Sequence, residues 1–253
     1  MRILITNDDG INSDGLWVLA RELLEIAQVT IVVPDSERSA IGTAVNLFRP
    51  LMVEKVKPKV SGVRAYTTDG TPADCVILAM GKLTDEKTDL VISGINDGNN
   101  LGEDVYISGT VGGALQGYFR GSSALAISAP HESKAGRETA ARVASSLAAR
   151  IYAINPPAGI FLNVNTPNLP AKEVSGIQLS RLACTSHINS VAEDDDLDEH
   201  HFRLVRQQIS GSDIKGTDMY AVKHGWVSIT PLFTSLFRRP PQRLLQELCT
   251  GIL

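Results

Sequence analysis

Two short apolar runs with a helix-periodic stretch between them constrain this chain more than any other feature. Ile3-Leu4-Ile5-Thr6 stops at Asn7-Asp8-Asp9-Gly10, and Val29-Thr30-Ile31-Val32-Val33 stops at Pro34. Each reads as a fully buried strand. Between them Leu16, Leu19, Ala20, Leu23, Leu24 and Ala27 recur at helical spacing, with Ser13 or Asp14 available as the cap. Strand, helix and strand within about 35 residues form a βαβ unit, whose strands run parallel because the helix returns the chain to the same edge.

The alternation continues. Val63 to Thr67 reads as a strand, and Thr71-Pro72-Ala73-Asp74 then supplies a cap, a proline at the first helical position and an acid three residues after the cap, which predicts a helix through Met80. Leu90-Val91-Ile92-Ser93 is the next buried strand, Thr110 to Phe119 a small-residue helix, Ala124 to Ser128 another strand and Glu138 to Ile154 a long helix. Repeated strand-then-helix with short links predicts an α/β fold, a doubly wound, Rossmann-like and mostly parallel sheet covered on both faces. This core is expected to span 1–167. After Pro167 the pattern changes: Ile177 to Leu182, Phe202 to Ile209 and Trp226 to Thr230 read as strands without full helices between them. Asp194-Asp195-Asp196 marks an exposed loop, and Pro240-Pro241 precedes an amphipathic segment from Arg243 to Cys249. Residues 168–253 are therefore expected to form a β-rich arm with a terminal helix, part of the same globular unit.

Composition removes several function classes. Lys and Arg total 24 against 28 Asp and Glu, a net charge of −4, so the chain lacks the basic footprint that grips a nucleic-acid polymer. Cys75, Cys184 and Cys249 are odd in number and form no C-x-x-C pair, which argues against a disulfide framework or a thiolate zinc site and fits a reducing cytoplasm. No run approaches the roughly 20 apolar residues of a membrane span, and Ile3-Leu4-Ile5 is too short for a signal peptide's core. A soluble, cytoplasmic protein without a membrane partner is expected.

In an open parallel sheet ligands bind beyond the carboxyl ends of the strands. Those positions are polar here: Asn7-Asp8-Asp9-Gly10 after the first strand, Asp35-Ser36-Glu37-Arg38-Ser39 after the second, and the run Gly94 to Asp104 after the strand ending at Ser93. Adjacent carboxylates repel each other, and a cation makes them tolerable, so Asp8 and Asp9 are candidate ligands for a hard divalent metal. The same four residues also have the composition of an ordinary turn. Ser108-Gly109-Thr110-Val111-Gly112-Gly113 sits where a helix begins; its backbone N–H groups and two hydroxyls suit a phosphate, and they equally suit a plain helix cap with glycines for close packing. No G-x-x-x-x-G-K-[ST] motif occurs, so a P-loop is not indicated. A cation beside a phosphate cradle on one rim suggests metal-assisted hydrolysis of a phosphate ester.

Five blocks in order, Ile3 to Gly10, Arg38-Ser39, Gly70 to Val76, Ser93 to Asn99 and Ser108 to Gly112, resemble the SurE family of stationary-phase survival proteins, which act as 5′/3′-nucleotidases. Gly216-Thr217-Asp218 and Val227 to Leu232 extend the resemblance. It implies a Rossmann-like core, one divalent metal per subunit (Mg²⁺ or Mn²⁺) held at the positions of Asp8, Asp9, Ser39 and Asn96, and phosphate contacts from Asn96, Ser108, Gly109 and Thr110. Asp8, Asp9, Asn96 and Ser108 are the implied catalytic set. The implied substrates are nucleoside monophosphates, in some members short polyphosphate, with homodimers or homotetramers formed through the C-terminal arm. Asn46, where the family usually has Thr or Ser, and the acidic segment His187 to His201 depart from its pattern and bear on base preference and arm geometry.

Other classes fit less well. A signalling receiver domain also groups acids around Mg²⁺, but the strand ending at Ser93 offers Gly94 where a phospho-accepting Asp belongs. A dinucleotide oxidoreductase needs G-x-G-x-x-G after the first strand, and a haloacid-dehalogenase-type phosphatase needs D-x-D; the acids here are adjacent. His131, His187, His200, His201 and His224 show no H-x-x-x-H spacing and read as solvated or structurally bonded.

Overall fold

The computed structural model describes residues 1–84, 86–157, 159–186, 188–193, 202–206 and 213–233. Its centre is a nine-stranded sheet. In chain order the strands are β1 (Arg2–Thr6), β2 (Gln28–Pro34), β3 (Val53–Val56), β4 (Arg64–Thr68), β5 (Leu90–Asp97), β6 (Ser123–Ala129), β7 (Phe161–Asn165), β8 (Gly176–Leu179) and, after a separate ribbon of β9 (Ile188–Glu193) and β10 (Phe202–Arg206), β11 (Trp226–Pro231). The sheet order is β3-β4-β2-β1-β5-β6-β7-β11-β8. The six strands β4-β2-β1-β5-β6-β7 are all parallel. Their order reverses direction on either side of β1, which opens a crevice between the ends of β1 and β5.

Burial alternates along the strands and assigns the helices to two faces. Ile3, Ile5, Ile31, Val33 and Ile92 pack with Leu16, Leu19 and Leu23 of α1 (Asp14–Leu24) and with Ala140, Ala144 and Ala148 of α4 (Lys134–Ile154). Leu4, Val32 and Val91 point the other way, to Cys75, Val76 and Ala79 around α2 (Pro72–Leu78). On that second face α3 (Gly109–Phe119) adds Val111 and Ala114 against Ala124 and Ala126 of β6. Both layers are continuous apolar surface, as the buried runs required. At the start of α2 the Thr71 hydroxyl accepts the Asp74 N–H while Asp74 accepts the Thr71 N–H, a reciprocal cap. Asn46 donates to the same Asp74 carboxylate from its backbone N–H at 3.0 Å and its Nδ2 at 2.6 Å, so it ties its loop to the head of α2.

Beyond Asn165 the chain returns to the sheet twice. β11 pairs antiparallel with β7, and β8 pairs parallel with β11, so strands from both sides of residue 167 share one sheet. Between them the six-residue helix α5 (Asp218–Lys223), capped by Thr217, was not expected from sequence, and neither was the half-exposed edge strand β3. Among the described strands β9 and β10 alone stand apart, as a two-stranded antiparallel ribbon. The expected loop at Asp194-Asp195-Asp196 and the expected terminal helix from Arg243 to Cys249 lie outside the described residues.

Candidate active site

β1 ends at Thr6, and the chain turns at once. Asn7 closes that turn with its own carboxamide, whose Nδ2 donates to Gly10 O at 3.0 Å and whose Oδ1 accepts the Gly10 N–H at 3.2 Å. Asn-Asp-Asp-Gly is thus a true turn, and the turn is what throws Asp8 and Asp9 over the crevice. Both line a cavity of about 410 Å³ together with Ser39 from the loop after β2, Asn96 from the end of β5 and Ser108 from the start of α3. Five of the seven residues expected at the site therefore meet in one place.

The remaining two, Gly109 and Thr110, are not among the residues that line the cavity. Thr110 is fully buried and gives its donors to a carboxylate: its N–H reaches Asp8 Oδ2 at 3.1 Å and its hydroxyl bonds Asp8 Oδ1. The same hydroxyl lies 3.2 Å from Asn96 Oδ1. Gly109 is required sterically, because a Cβ there would lie 2.8 Å from Asp8 Oδ2. The start of α3 is thus pressed against Asp8. Ser108 is the cap, its hydroxyl oxygen accepting the Val111 N–H at 3.2 Å. With the Thr110 and Val111 amides engaged, the Gly109 amide is the first-turn N–H without a protein acceptor among the described residues.

Charge at the site is one-sided. Glu37, Asp97 and Asp104 line the cavity beside Asp8 and Asp9, and no Lys or Arg does. Burial pushes the Asp8 carboxyl up, against the hydrogen bonds from Thr110. Asp9 is pushed up to about 7, first by burial and then by the charge of Asp8 beside it. Two neighbouring carboxylates are thus held partly desolvated in a lining that offers them no Lys or Arg.

The fit to a divalent cation rests on this donor set. Asp8, Asp9, Ser39 and Asn96 offer two carboxylates, a hydroxyl and a carboxamide, all oxygen, which suits a hard cation. Among the described residues no three His, Cys, Asp or Glu side chains form a metal cage of their own. The expected set has only two, and the neutral oxygens complete it. In this structure the Ser39 hydroxyl donates to Glu37 at 2.6 Å.

The family model described as survival protein SurE matches residues 3–189. The chain belongs to the SurE family. Its members include the 5′-nucleotidase SurE of Dehalococcoides mccartyi strain 195, 46% identical over 255 residues that cover all of this chain and 96% of that relative. The 5′-nucleotidase SurE of Vibrio campbellii is 41% identical over 242 residues, 93% of this chain and 90% of that one. The crystal structure of the SurE protein from Aquifex aeolicus superposes with a TM-score of 0.83 at 33% identity, covering 98% of this chain and 99% of that one. The Rossmann-like reading of the sheet thus holds along the SurE chain.

Several cavity residues of this family member were not anticipated as site residues. Glu37, Asp97, Asn100 and Asp104 lie in the strand-end loops already singled out, and their side chains reach the same space. Asn100 is fixed from below: its carbonyl accepts Nδ2 of Asn163 at 2.9 Å and of Asn165 at 3.0 Å, and its N–H donates to Asn165 Oδ1 at 2.9 Å. Asp104 accepts the Ser186 hydroxyl at 2.6 Å, which joins the chain after β8 to the site. His131, read from sequence as background, also lines the cavity, because it follows the carboxyl end of β6. No described helix is long and apolar enough to cross a membrane.

Proposed function

We propose that this chain is a divalent-metal-dependent phosphomonoesterase that hydrolyses nucleoside 5′- and 3′-monophosphates to nucleoside and phosphate, with short polyphosphate as a further substrate. One observation carries the reading: a pair of adjacent, desolvated carboxylates at the switch point of the sheet faces the N-terminal turn of a helix, in a chain whose relatives are named 5′-nucleotidases. Asp8, Asp9, Ser39 and Asn96 would hold one Mg²⁺ or Mn²⁺ per subunit. Such a cation supplies positive charge to the phosphoryl oxygens and acidifies water.

The chain's own residues do the rest. The Gly109 amide and the Ser108 hydroxyl give hydrogen bonds to the phosphate oxygens, and the amide end of α3 favours the same negative charge. Thr110 orients Asp8 from behind and steadies Asn96, which fixes two of the four oxygen donors relative to each other. Free Cys75 and exposed Cys184 support a cytoplasmic location. Assembly into dimers or tetramers through the region 168–253 is supported by the β9–β10 ribbon, which exposes Val191, Phe202 and Leu204 and is too small to be stable on its own.

The test is phosphate release from a panel of nucleoside 5′- and 3′-monophosphates, polyphosphate and 4-nitrophenyl phosphate, with chelator and with each metal restored. Release that stops in EDTA and returns with Mg²⁺ or Mn²⁺ is expected. Full activity in chelator, or tightly held Zn²⁺ in the purified protein, overturns the metal assignment.

A further inference from the structure

An alkyl phosphate ester presents a problem that the cavity's carboxylates do not solve. When the bond from phosphorus to the ribose oxygen breaks, the departing alkoxide needs a proton. The cavity lining holds five carboxylates, Asp8, Asp9, Glu37, Asp97 and Asp104, and no Lys or Arg. Asp8 and Asp9 would be ionised in holding the cation, and Glu37, Asp97 and Asp104 accept hydrogen bonds from Ser39, from Glu132 and Arg137, and from Ser186. One side chain in the lining is an imidazole, a general acid by its chemistry, and that is His131.

His131 is exposed to the cavity but not loosely held at its root. Its Nδ1 lies 2.8 Å from Asp97 Oδ2. The other oxygen of that carboxylate, Oδ1, accepts the Glu132 N–H at 2.8 Å and Arg137 Nη1 at 3.3 Å. Asp97 in turn gives its backbone N–H to Asp9 Oδ2 at 3.3 Å, so one residue connects the imidazole to the carboxylate pair. The turn that carries His131 is closed by the Ser133 N–H on Pro130 O at 3.1 Å and by the Ser133 cap on Gly136 at 2.8 Å. The charged groups around the ring are Asp97 on β5 and Glu132 and Arg137 at the head of α4; Glu132 Oε1 is 3.9 Å from Nε2, beyond hydrogen-bond reach.

We infer that His131 is a catalytic residue that protonates the leaving ribose oxygen, with Asp97 as the positioning residue that holds its Nδ1 and turns Nε2 to the substrate. The assignment rests on the phosphomonoesterase reading above. In the step, water oxygen forms a bond to phosphorus and the bond between phosphorus and the ester oxygen breaks. The ester oxygen leaves with the electron pair and takes the proton from His131 Nε2 to become the ribose hydroxyl. The water releases one proton to solvent, and His131 recovers one from solvent, so no charge accumulates.

Leaving-group dependence tests this, because 4-nitrophenolate departs without a proton and a ribose alkoxide does not. His131→Gln and His131→Ala, assayed with metal on a nucleoside 5′-monophosphate and on 4-nitrophenyl phosphate, are expected to lower the ratio of the two kcat values by on the order of 10²-fold. Asp97→Asn is expected to shift the same ratio in the same direction by about tenfold, since it leaves the imidazole in place but weakens its orientation. Equal losses on both substrates, or none on either, overturn the role of His131. Failure of the wild-type protein to release phosphate from either substrate overturns the phosphomonoesterase reading itself, and the inference falls with it.

Discussion

The sheet has a cavity at each end, and the two are nearly the same size. One of about 410 Å³ lies over the carboxyl ends of the strands, lined by Asp8, Asp9 and Asn96. The other, of about 400 Å³, lies beneath the amino ends of β1, β2 and β4, lined by Arg2, Gln28, Arg64 and Glu86. They differ in how their charge is satisfied. At the amino ends Arg2 pairs with Glu86 and donates Nε to Lys87 O at 2.9 Å, and Arg64 donates to Thr30 Oγ1 at 3.3 Å. Both signs are present there, Arg2 facing a carboxylate and Arg64 a hydroxyl. At the carboxyl ends five carboxylates gather with no Lys or Arg in the lining, and Asp9 is held up to about 7. Hollow volume therefore says little about function in this molecule. The informative quantity is charge that the fold has buried and left for something else to balance.

The sharpest way to break that comparison is to remove the unmatched charge at one end and a matched charge at the other. Asp8→Asn and Asp9→Asn keep side-chain size and delete one ligand charge each; both are expected to reduce metal-dependent phosphate release by on the order of 10³-fold or more. Glu86→Gln, which removes an exposed ion-pair partner at the amino ends, is expected to leave turnover within about twofold, since surface pairs contribute little. Phosphate release under saturating Mg²⁺ checks all three. Near-normal turnover in either aspartate variant contradicts the metal assignment.

A smaller effect separates the two duties of the α3 N-terminus. Ser108 caps the helix through Val111, and its hydroxyl also faces the cavity; Asn96 donates to Gly98 O at 2.6 Å while accepting from Thr110. Ser108→Ala and Asn96→Ala are each expected to lower kcat on the order of 10²-fold if they remove a donor to the reacting phosphate. If Ser108 only caps, its loss costs about 1 kcal/mol of stability and leaves kcat alone. Thermal melts run beside the kinetics distinguish the two.

How far the sequence revealed this contrast depends on range. Five of the six parallel strands were legible, β1, β2, β5 and β6 because each holds a short buried apolar run ended by a polar turn. β7 (Phe161–Asn165), which alternates apolar residues with Asn163 and Asn165, was not anticipated. β3 was not, because Val53-Glu54-Lys55-Val56 lies half exposed at the sheet edge and carries no apolar run. The joining of β11 and β8 to β7 was not either, since pairing across 60 residues leaves no local trace. The site divides the same way. The strand-end rule picked out Asp8 and Asp9 and the two segments that carry Ser39 and Asn96, while the choice of Ser39 and Asn96 within those segments came from the resemblance to the SurE family. Thr110 as a partner of Asp8 comes from α3 docking on the sheet, and the Asp97–His131 contact from β5 and β6 pairing so that Asp97 stands beside Ala129. Residue spacing carries no such signal.

The least dramatic effect follows from the Asp9 carboxyl in the metal-free protein. An ordinary Asp titrates near 3.9 in an unfolded chain, and burial with Asp8 alongside raises Asp9 to about 7 in the fold. The folded state then binds the proton more tightly than the unfolded state does, so protonation stabilises it. That contribution is complete below about pH 4 and is lost as pH rises through about 7. In chelator, the denaturant midpoint is therefore expected to fall between pH 5 and pH 8. Asp9→Asn, which cannot ionise, should flatten that fall and melt higher than wild type at pH 8. Mg²⁺ or Mn²⁺ should act in the opposite sense, restoring the wild-type midpoint at pH 8 and leaving the variant's almost unmoved, because the cation supplies the balancing charge that protonation supplies at low pH. A wild-type midpoint that does not respond to metal at pH 8 contradicts this account, and so does an Asp9→Asn protein that responds as strongly as wild type. Applied to Glu86→Gln, the same titration should show the wild-type fall and the wild-type response to metal, since Glu86 lies at the opposite end of the sheet from Asp9.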